Sequence, residues 1–422
     1  MERSWSPGAR GSTGGTNLPR VADFNETVVL NAIRRAEGGC SRVELTTETG
    51  LSAQTVSNIC RRLIDQGYVL ETGKQPVAYG KPRTMLELDP TGCYAVGVHI
   101  DPAVITYVLL DFTGRVVVDA SHPTPDVRDP ESVLTLISEH IEQLIEGAPI
   151  DRARILGVGI ASPGPVDVQK GLVLDPPHLP GWHQVPLRDH LREATGLPVL
   201  LDKDVIAGAV AEQWADRGAG ESRNFVFLYL GTGIGMGFVI DDVVIRGMSS
   251  NAGDVGRMPV SSEEYGDRYT DRFHAFWQVG SPRELAAQGV ELGVLPADTD
   301  LDSPAAANVA FAALCELADD GDEHAGAIID RAGRFAASAV LTATNMLDVD
   351  RVVIGGAMWE RVAERYLQMI PPVIAAESVS RDLHGITITG TQLGSDVAAI
   401  GAACLVLDNK FSPKPSTLLL AG

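Results

Sequence analysis

The sequence predicts an α/β body behind a small module of helices and a β-hairpin. Three observations predict it. Short apolar runs alternate with stretches of helical period along most of the 422 residues. One pattern, three strands joined by tight turns, occurs twice. The first ninety residues are nearly neutral, whereas the remainder is strongly acidic.

The apolar fraction is 45%, which supports large buried cores and excludes disorder over the whole length. No apolar run is long enough to span a bilayer. Residues 1–20, rich in Gly, Ser and Arg, read as a flexible tail without the apolar centre of a secretion signal. The five cysteines, Cys40, Cys60, Cys93, Cys315 and Cys404, are scattered and form no C-x-x-C pair. A disulfide framework and a cysteine-rich zinc site are therefore disfavoured, and a reducing cytoplasm fits. Net charge is −21, yet residues 1–90 hold 11 basic against 10 acidic side chains. An acidic body is repelled by DNA phosphates, while its first ninety residues are not.

In that first segment, Val29, Ala32, Ile33 and Ala36 mark one face of a helix, stopped by Gly38-Gly39. Ser41 and Glu44 have the capping-box spacing for a second helix, which Gly50 ends. Ser52 caps a third. Its inward face is Val56, Ile59, Cys60, Leu63 and Ile64, and Gly67 closes it. Strands around Val69–Glu71 and Thr84–Leu88 follow, joined by a loop with Gly80-Lys81-Pro82-Arg83. Three helices and a hairpin make a winged helix-turn-helix over residues 21–90. The outward face of the third helix can hydrogen-bond base edges and phosphates through Ser52, Gln54, Thr55, Ser57, Asn58, Arg61 and Arg62. Lys81 and Arg83 flank a stiff proline at the wing tip and suit a minor groove. A protein-interaction module with ordinary solvated faces is the alternative.

In the body, Tyr94–Ile100, Ile105–Asp111 and Arg115–Asp119 form one predicted meander. Asn224–Leu230, Met236–Ile240 and Val243–Arg246 form another, so two similar lobes with a cleft between them are expected. Gly231, Thr232, Gly233 and Gly235 follow a strand, but the next residues read as strand rather than helix, which argues against a dinucleotide fingerprint. The loop either holds phosphate on its backbone N–H groups or is a tight turn. Asp204 stands where the strand Val199–Leu201 gives way to a helix from Val205, as a general base or a plain helix cap. The turns at Gly164 and at Gly355-Gly356 also end strands, where α/β sheets commonly place ligands.

Taken together, these stretches resemble the ROK family of repressors, open reading frames and sugar kinases. The matching segments are G-V-G-I-A-S-P-G-P-V-D at 157–167, H-L-P-G-W-H-Q-V-P-L at 178–187 and G-L-P-V-L-L-D-K-D at 196–204. They continue with G-T-G-I-G-M-G at 231–237, N-A-G-D-V-G-R-M at 251–258, V-V-I-G-G at 352–356 and L-G-S-D-V-A-A-I-G-A-A at 393–403. The resemblance implies a two-lobed actin-like (ribonuclease H-like) sugar-kinase fold over residues 91–410. Lobe one would take about 91–203 plus a C-terminal helix at 394–410, lobe two about 204–393, with a tail at 411–422. The winged helix with its G-K-P-R wing is similar to that of the repressor branch.

Departures from the family pattern carry equal weight. The D-x-G-G-T phosphate loop is replaced by His99-Ile100-Asp101-Pro102-Ala103-Val104, and Pro102 has no N–H to give a phosphate. The sugar-contacting Asn-Asp pair is Lys203-Asp204, so Asp204 is a vestigial base. The E-x-G-H segment is Asp254-Val255-Gly256-Arg257, and a guanidinium cannot ligate zinc. The family's cysteine block is absent from 261–278, so no metal or other cofactor is expected. Gly231, Thr232, Gly233, Gly235, Gly355 and Gly356 would then be vestigial nucleotide contacts. Gly164, Lys203, Asp204, Asp254 and Arg257 would line an effector site.

The expected function is a cytoplasmic DNA-binding transcriptional regulator of carbohydrate metabolism, in the first place a repressor. Its partners would be double-stranded operator DNA, a second or further copies of itself as homodimer or tetramer, and a sugar or sugar-phosphate effector. Lys203 and Arg257 either favour an anionic ligand or pair with Asp202, Asp204 or Asp254 and close the pocket. An ATP-dependent sugar kinase with an appended DNA-binding module is the alternative, and a pure protein scaffold a third.

Overall fold

The computed structural model describes residues 18–76, 82–125, 129–215, 223–261 and 274–412. They form two compact units. One holds the described residues up to Gly92 and those from Leu407 onward, the other Cys93–Val406.

The first unit runs α1 (Leu18–Arg35), β1 (Cys40–Ser41), α2 (Arg42–Thr49), α3 (Ala53–Asp65), β2 (Val69–Gln75) and β3 (Arg83–Leu88). Helix α1 opens at Leu18, inside the stretch expected to be tail, because the proline at position 19 is tolerated in a first turn. The Ser41–Glu44 capping box forms, and Gly50 ends α2 in the left-handed conformation. Ser52 caps α3 through the Thr55 N–H. Val56, Ile59, Cys60 and Leu63 bury one face of α3 against Val29, Ile33 and Leu45. Each fully buried large side chain contributes about 1.5–3 kcal/mol. The sheet order is β1-β3-β2. Strand β1, only two residues long, has no signal in the sequence.

In the second unit, β4 (Tyr94–Ile100), β5 (Val104–Asp111) and β6 (Val116–Pro123) form the first meander, followed by α4 (Pro130–Gly147) and β7 (Ile155–Ser162). Short β8 (Val166–Asp167) and β9 (Leu172–Val173) precede α5 (Leu187–Thr195), β10 (Val199–Lys203) and α6 (Asp204–Ala215). The second meander is β11 (Phe225–Leu230), β12 (Ile234–Ile240) and β13 (Val243–Val244). Then come β14 (Pro259–Ser261), β15 (His274–Ala275), α7 (Phe276–Gly280), α8 (Pro282–Glu291), α9 (Pro304–Asp319) and α10 (Glu323–Leu347). The chain finishes with β16 (Arg351–Gly355), α11 (Trp359–Glu377), β17 (Thr387–Gly390) and α12 (Val397–Phe411).

The two five-stranded sheets have matching topologies. The first is β10-β7-β4-β5-β6 and the second β13-β12-β11-β16-β17, so each is an antiparallel meander with two parallel strands added beside its first strand. The expected duplication is thus present and extends to the whole sheet. Asp241 and Asp242 turn the second hairpin with positive φ, as a two-residue connection requires. The first lobe's core packs sheet residues such as Val96, Val98 and Tyr107 on Ile137 and Ile141 of α4. The second packs Val226, Leu228 and Val352 on α9, α10 and α11. Helix α12 crosses β4 at Gly97, where a Cβ would strike the backbone of Ala399 and Ala403, so only glycine admits this approach.

Candidate DNA-reading surface and interlobe cleft

Helix α3 divides by face as its sequence dictates. Ser52, Gln54, Asn58, Arg61 and Arg62 are exposed, while Thr55 and Ser57 are half-buried at the edges. Gln54 donates to Asn58 at 3.1 Å, and the Ser52 and Thr55 hydroxyls lie 2.9 Å apart, so the outer face is a connected row of amides and hydroxyls. Arg62 pairs with Glu26 of α1. Arg83 is not a free wing-tip cation. It opens β3 and reaches Glu44 of α2 at 3.2 Å. The Glu44 carboxyl sits below its ordinary value because the backbone and hydroxyl of Ser41 bond it, with Arg83 adding to the effect. Lys81 lies outside the described residues.

In the second unit, polar side chains meet where strands end. Asp101, just beyond β4, is 5% exposed and takes up the Thr232 hydroxyl at 2.7 Å and the Ala103 N–H at 2.8 Å. Asn308 of α9 donates to the same Thr232 oxygen at 3.0 Å. The position where the family pattern places its phosphate loop therefore holds a buried acid. The 231–235 stretch is a tight turn, with Gly231 N–H bonded to Gly233 O and β12 following directly. Gly356 ends β16 with φ of 112° beneath the Leu230 carbonyl, so a Cβ there would collide with backbone. Gly235 faces Val205 and Gly355 faces Thr391, which gives both a packing reason as well.

Asp204 begins α6 and its carboxylate accepts the Val205 N–H. Burial raises its carboxyl above the ordinary range and outweighs Lys203 and His99, which favour the ionised form. Lys203 is buried at the end of β10, and its chain packs beside Gly164. Asp202 pairs with Arg246 at 2.8 Å, a partner the sequence did not single out. Burial still raises the Asp202 carboxyl. Asp254 and Arg257 are both exposed. Asn251 spans the lobes, accepting from Val166 N–H and donating to Val166 O, each at 2.8 Å. Tyr229 lies between the acids, its ring edge-on to His99 at 5.9 Å. Burial, Asp101 and Asp204 all hold its phenol well above the usual value.

Asp101, Asn251 and Arg246 thus make contacts that motif reading passed over. Asp101 had a signal, an acid where the family pattern has glycine. Asn251 sits in the quoted N-A-G-D segment. Arg246 had none. The segment expected to replace the cysteine block lies outside the described residues from 262 to 273. Among the described residues no three His, Cys, Asp or Glu side chains cluster as a metal site would need, and no helix is long and apolar enough to cross a membrane.

Residues 95–409 match the ROK family. The chain belongs to the ROK family. Residues 22–75 match the MarR family, in agreement with the winged helix-turn-helix seen in the first unit. Among ROK relatives, the chain is similar to a xylose repressor from Caldicellulosiruptor bescii, 25% identical over 403 residues, covering 94% of this chain and 98% of the relative. It is also similar to a glucokinase from Halalkalibacterium halodurans, 26% identical over 323 residues, covering 75% and 96%. A crystal structure of a ROK family transcriptional regulator, described as a homolog of the E. coli MLC protein, shares the fold with a TM-score of 0.73 at 22% identity, covering 93% of this chain and 98% of that one. The match to the Caldicellulosiruptor bescii repressor takes in nearly the whole chain, whereas the glucokinase match leaves about a quarter of it uncovered.

Proposed function

We propose that this protein is a ROK transcriptional repressor that binds operator DNA through α3 and senses a sugar or sugar derivative in its interlobe cleft. The observation that carries the reading is the exposed Gln54–Asn58–Arg61 row on a winged helix, fused to a ROK body. Base edges need donors and acceptors at that spacing. Ser52, Thr55, Ser57 and Arg62 would contact phosphates or position the helix, with Lys81 and Arg83 serving the wing. Arg83 must exchange Glu44 for DNA to do so. The protein would act in the cytoplasm as a homodimer or tetramer, since two winged helices on a two-fold axis read a near-palindrome.

The kinase activity of the fold is lost in this reading. Phosphoryl transfer depends on phosphate positioning and charge stabilisation. A buried carboxylate at Asp101 repels phosphate and occupies the Thr232 hydroxyl. Gly164, Lys203, Asp204, Asp254 and Arg257 would face the effector. The proximity of buried Lys203 to Asp204 favours a neutral sugar over an anionic one.

A gel shift against the DNA upstream of the protein's own gene tests the reading. Binding no tighter than to random duplex would refute it. Addition of pentoses and hexoses should shift the apparent affinity, and sugar phosphates should not. ADP release with ATP and a hexose panel should stay at background. Turnover abolished by Asp204→Asn would instead establish a kinase.

A further inference from the structure

Among the described residues of the first unit, Glu26 holds Arg62, Glu44 holds Arg83, and Glu71 holds Arg42. The last pair differs in its setting. Arg42 begins α2 and Glu71 lies on β2. Both line an open groove of about 620 Å³, together with Ser57, Arg61 and Ile64 of α3 and Leu70 of β2. One wall of the groove is a flank of the helix proposed to read bases, and the other is the first wing strand. Arg61, on the same wall, has no carboxylate partner among the described residues. Arg42 gives Glu71 a single contact, its Nη2 to Oε1 at 2.8 Å, with the two side chains 32% and 49% exposed. The rest of its guanidinium fork has no bond among the described residues, and a fork of that shape matches two oxygens of a phosphate.

We infer that this groove is a phosphodiester-binding site for duplex DNA, in which Arg42 acts beside Arg61 and the Glu71 carboxylate holds the phosphate's place while DNA is absent. The inference rests on the DNA-binding reading above and adds a residue and a competitor to it. The exchange is a ligand swap at one cation: the Arg42–Glu71 contact opens, the Arg42–phosphate contact forms, and Glu71 turns to water. An exposed single-contact pair adds little stability, so it yields readily to a polyanion. Glu71 then sets a threshold. It discourages binding to a lone, poorly placed phosphate and gives way where α3 is also seated.

Phosphate contacts are independent of sequence, so the test needs no operator. Anisotropy of the full chain on a labelled random-sequence duplex, measured over a series of KCl concentrations, gives affinity and salt slope. Arg42→Ala should weaken binding and lower the slope by about 0.9 per bound protomer. Arg42→Lys should keep the slope, which separates lost charge from lost folding. Glu71→Gln should tighten binding severalfold, and should do so far less in the Arg42→Ala background, as a double-mutant cycle requires of coupled residues. Asp65→Asn makes the same charge change on α3 outside the groove and should have the smaller effect. An unchanged slope in Arg42→Ala, or equal tightening by Glu71→Gln in both backgrounds or by Asp65→Asn, overturns the inference while leaving DNA binding intact. Wild-type protein that binds no duplex at any salt overturns the DNA-binding reading with it.

Discussion

Asp101 shows how one side chain can change what a loop does. It puts a buried acid, bonded to the Thr232 hydroxyl and the Ala103 N–H, where the family pattern has glycine. Asp101→Ala would leave the Thr232 hydroxyl with only Asn308, so a loss of about 1–3 kcal/mol in urea unfolding is expected. Asp101→Asn, which keeps an acceptor, should lose less. Neither variant should gain nucleotide binding, because Pro102 still lacks an N–H. Its neighbour in the cleft, Asp204, was legible from the sequence as the acid at a strand-to-helix junction. Asp101 was legible only as a missing glycine, since nothing in a local pattern tells which residue 131 positions away will meet it. Arg246 was hidden for the same reason.

Helix α3 was the most legible element, because its cap, its apolar stripe and its polar stripe are all local. Gln54→Ala and Asn58→Ala should each weaken operator binding by about 1–3 kcal/mol, and should affect random duplex much less, in a paired gel-shift titration. Strand β2 runs longer than its apolar residues announce, since it is held by β3 and not by burial. A different element makes a pH prediction. On the first lobe, His140 of α4 stacks on His122 of β6 with centroids 3.7 Å apart and meets the Tyr107 hydroxyl at 3.3 Å. Burial, then the neighbouring imidazole, lowers the His140 value below its ordinary 6.5. The unfolded chain therefore binds the proton more readily, and stability should fall as pH drops below that value. In chemical denaturation at a series of pH values, His140→Phe should flatten this slope.

At the scale of the whole molecule, the duplicated meander and the strand at Val199–Leu201 were visible in the sequence, but the pairings that complete each sheet were not. Val199–Lys203 and Thr387–Gly390 pair in parallel with partners far along the chain, and pairing of that kind leaves no local periodicity. The charge division is the other molecular property with a measurable result. A body with 23 basic against 45 acidic side chains, which holds all of the net negative charge, is repelled by DNA, so nonspecific affinity should be low at physiological salt. Two protomers per near-palindromic duplex are expected in sedimentation velocity, and a single protomer bound at saturation would exclude the two-fold arrangement.

The end of α12 belongs to the first unit, where Phe411 meets the Tyr68 ring edge-on at 5.2 Å and Lys410 reaches the Tyr68 hydroxyl at 3.3 Å. Those partners are 342 positions apart. On the ribosome the winged helix emerges before α12, so the contacts of Tyr68 with Lys410 and Phe411 form only on the order of half a minute later at typical elongation rates. A nascent chain that has not yet reached Phe411 thus carries a DNA-binding module lacking this contact, and the first unit closes only across 342 positions of sequence.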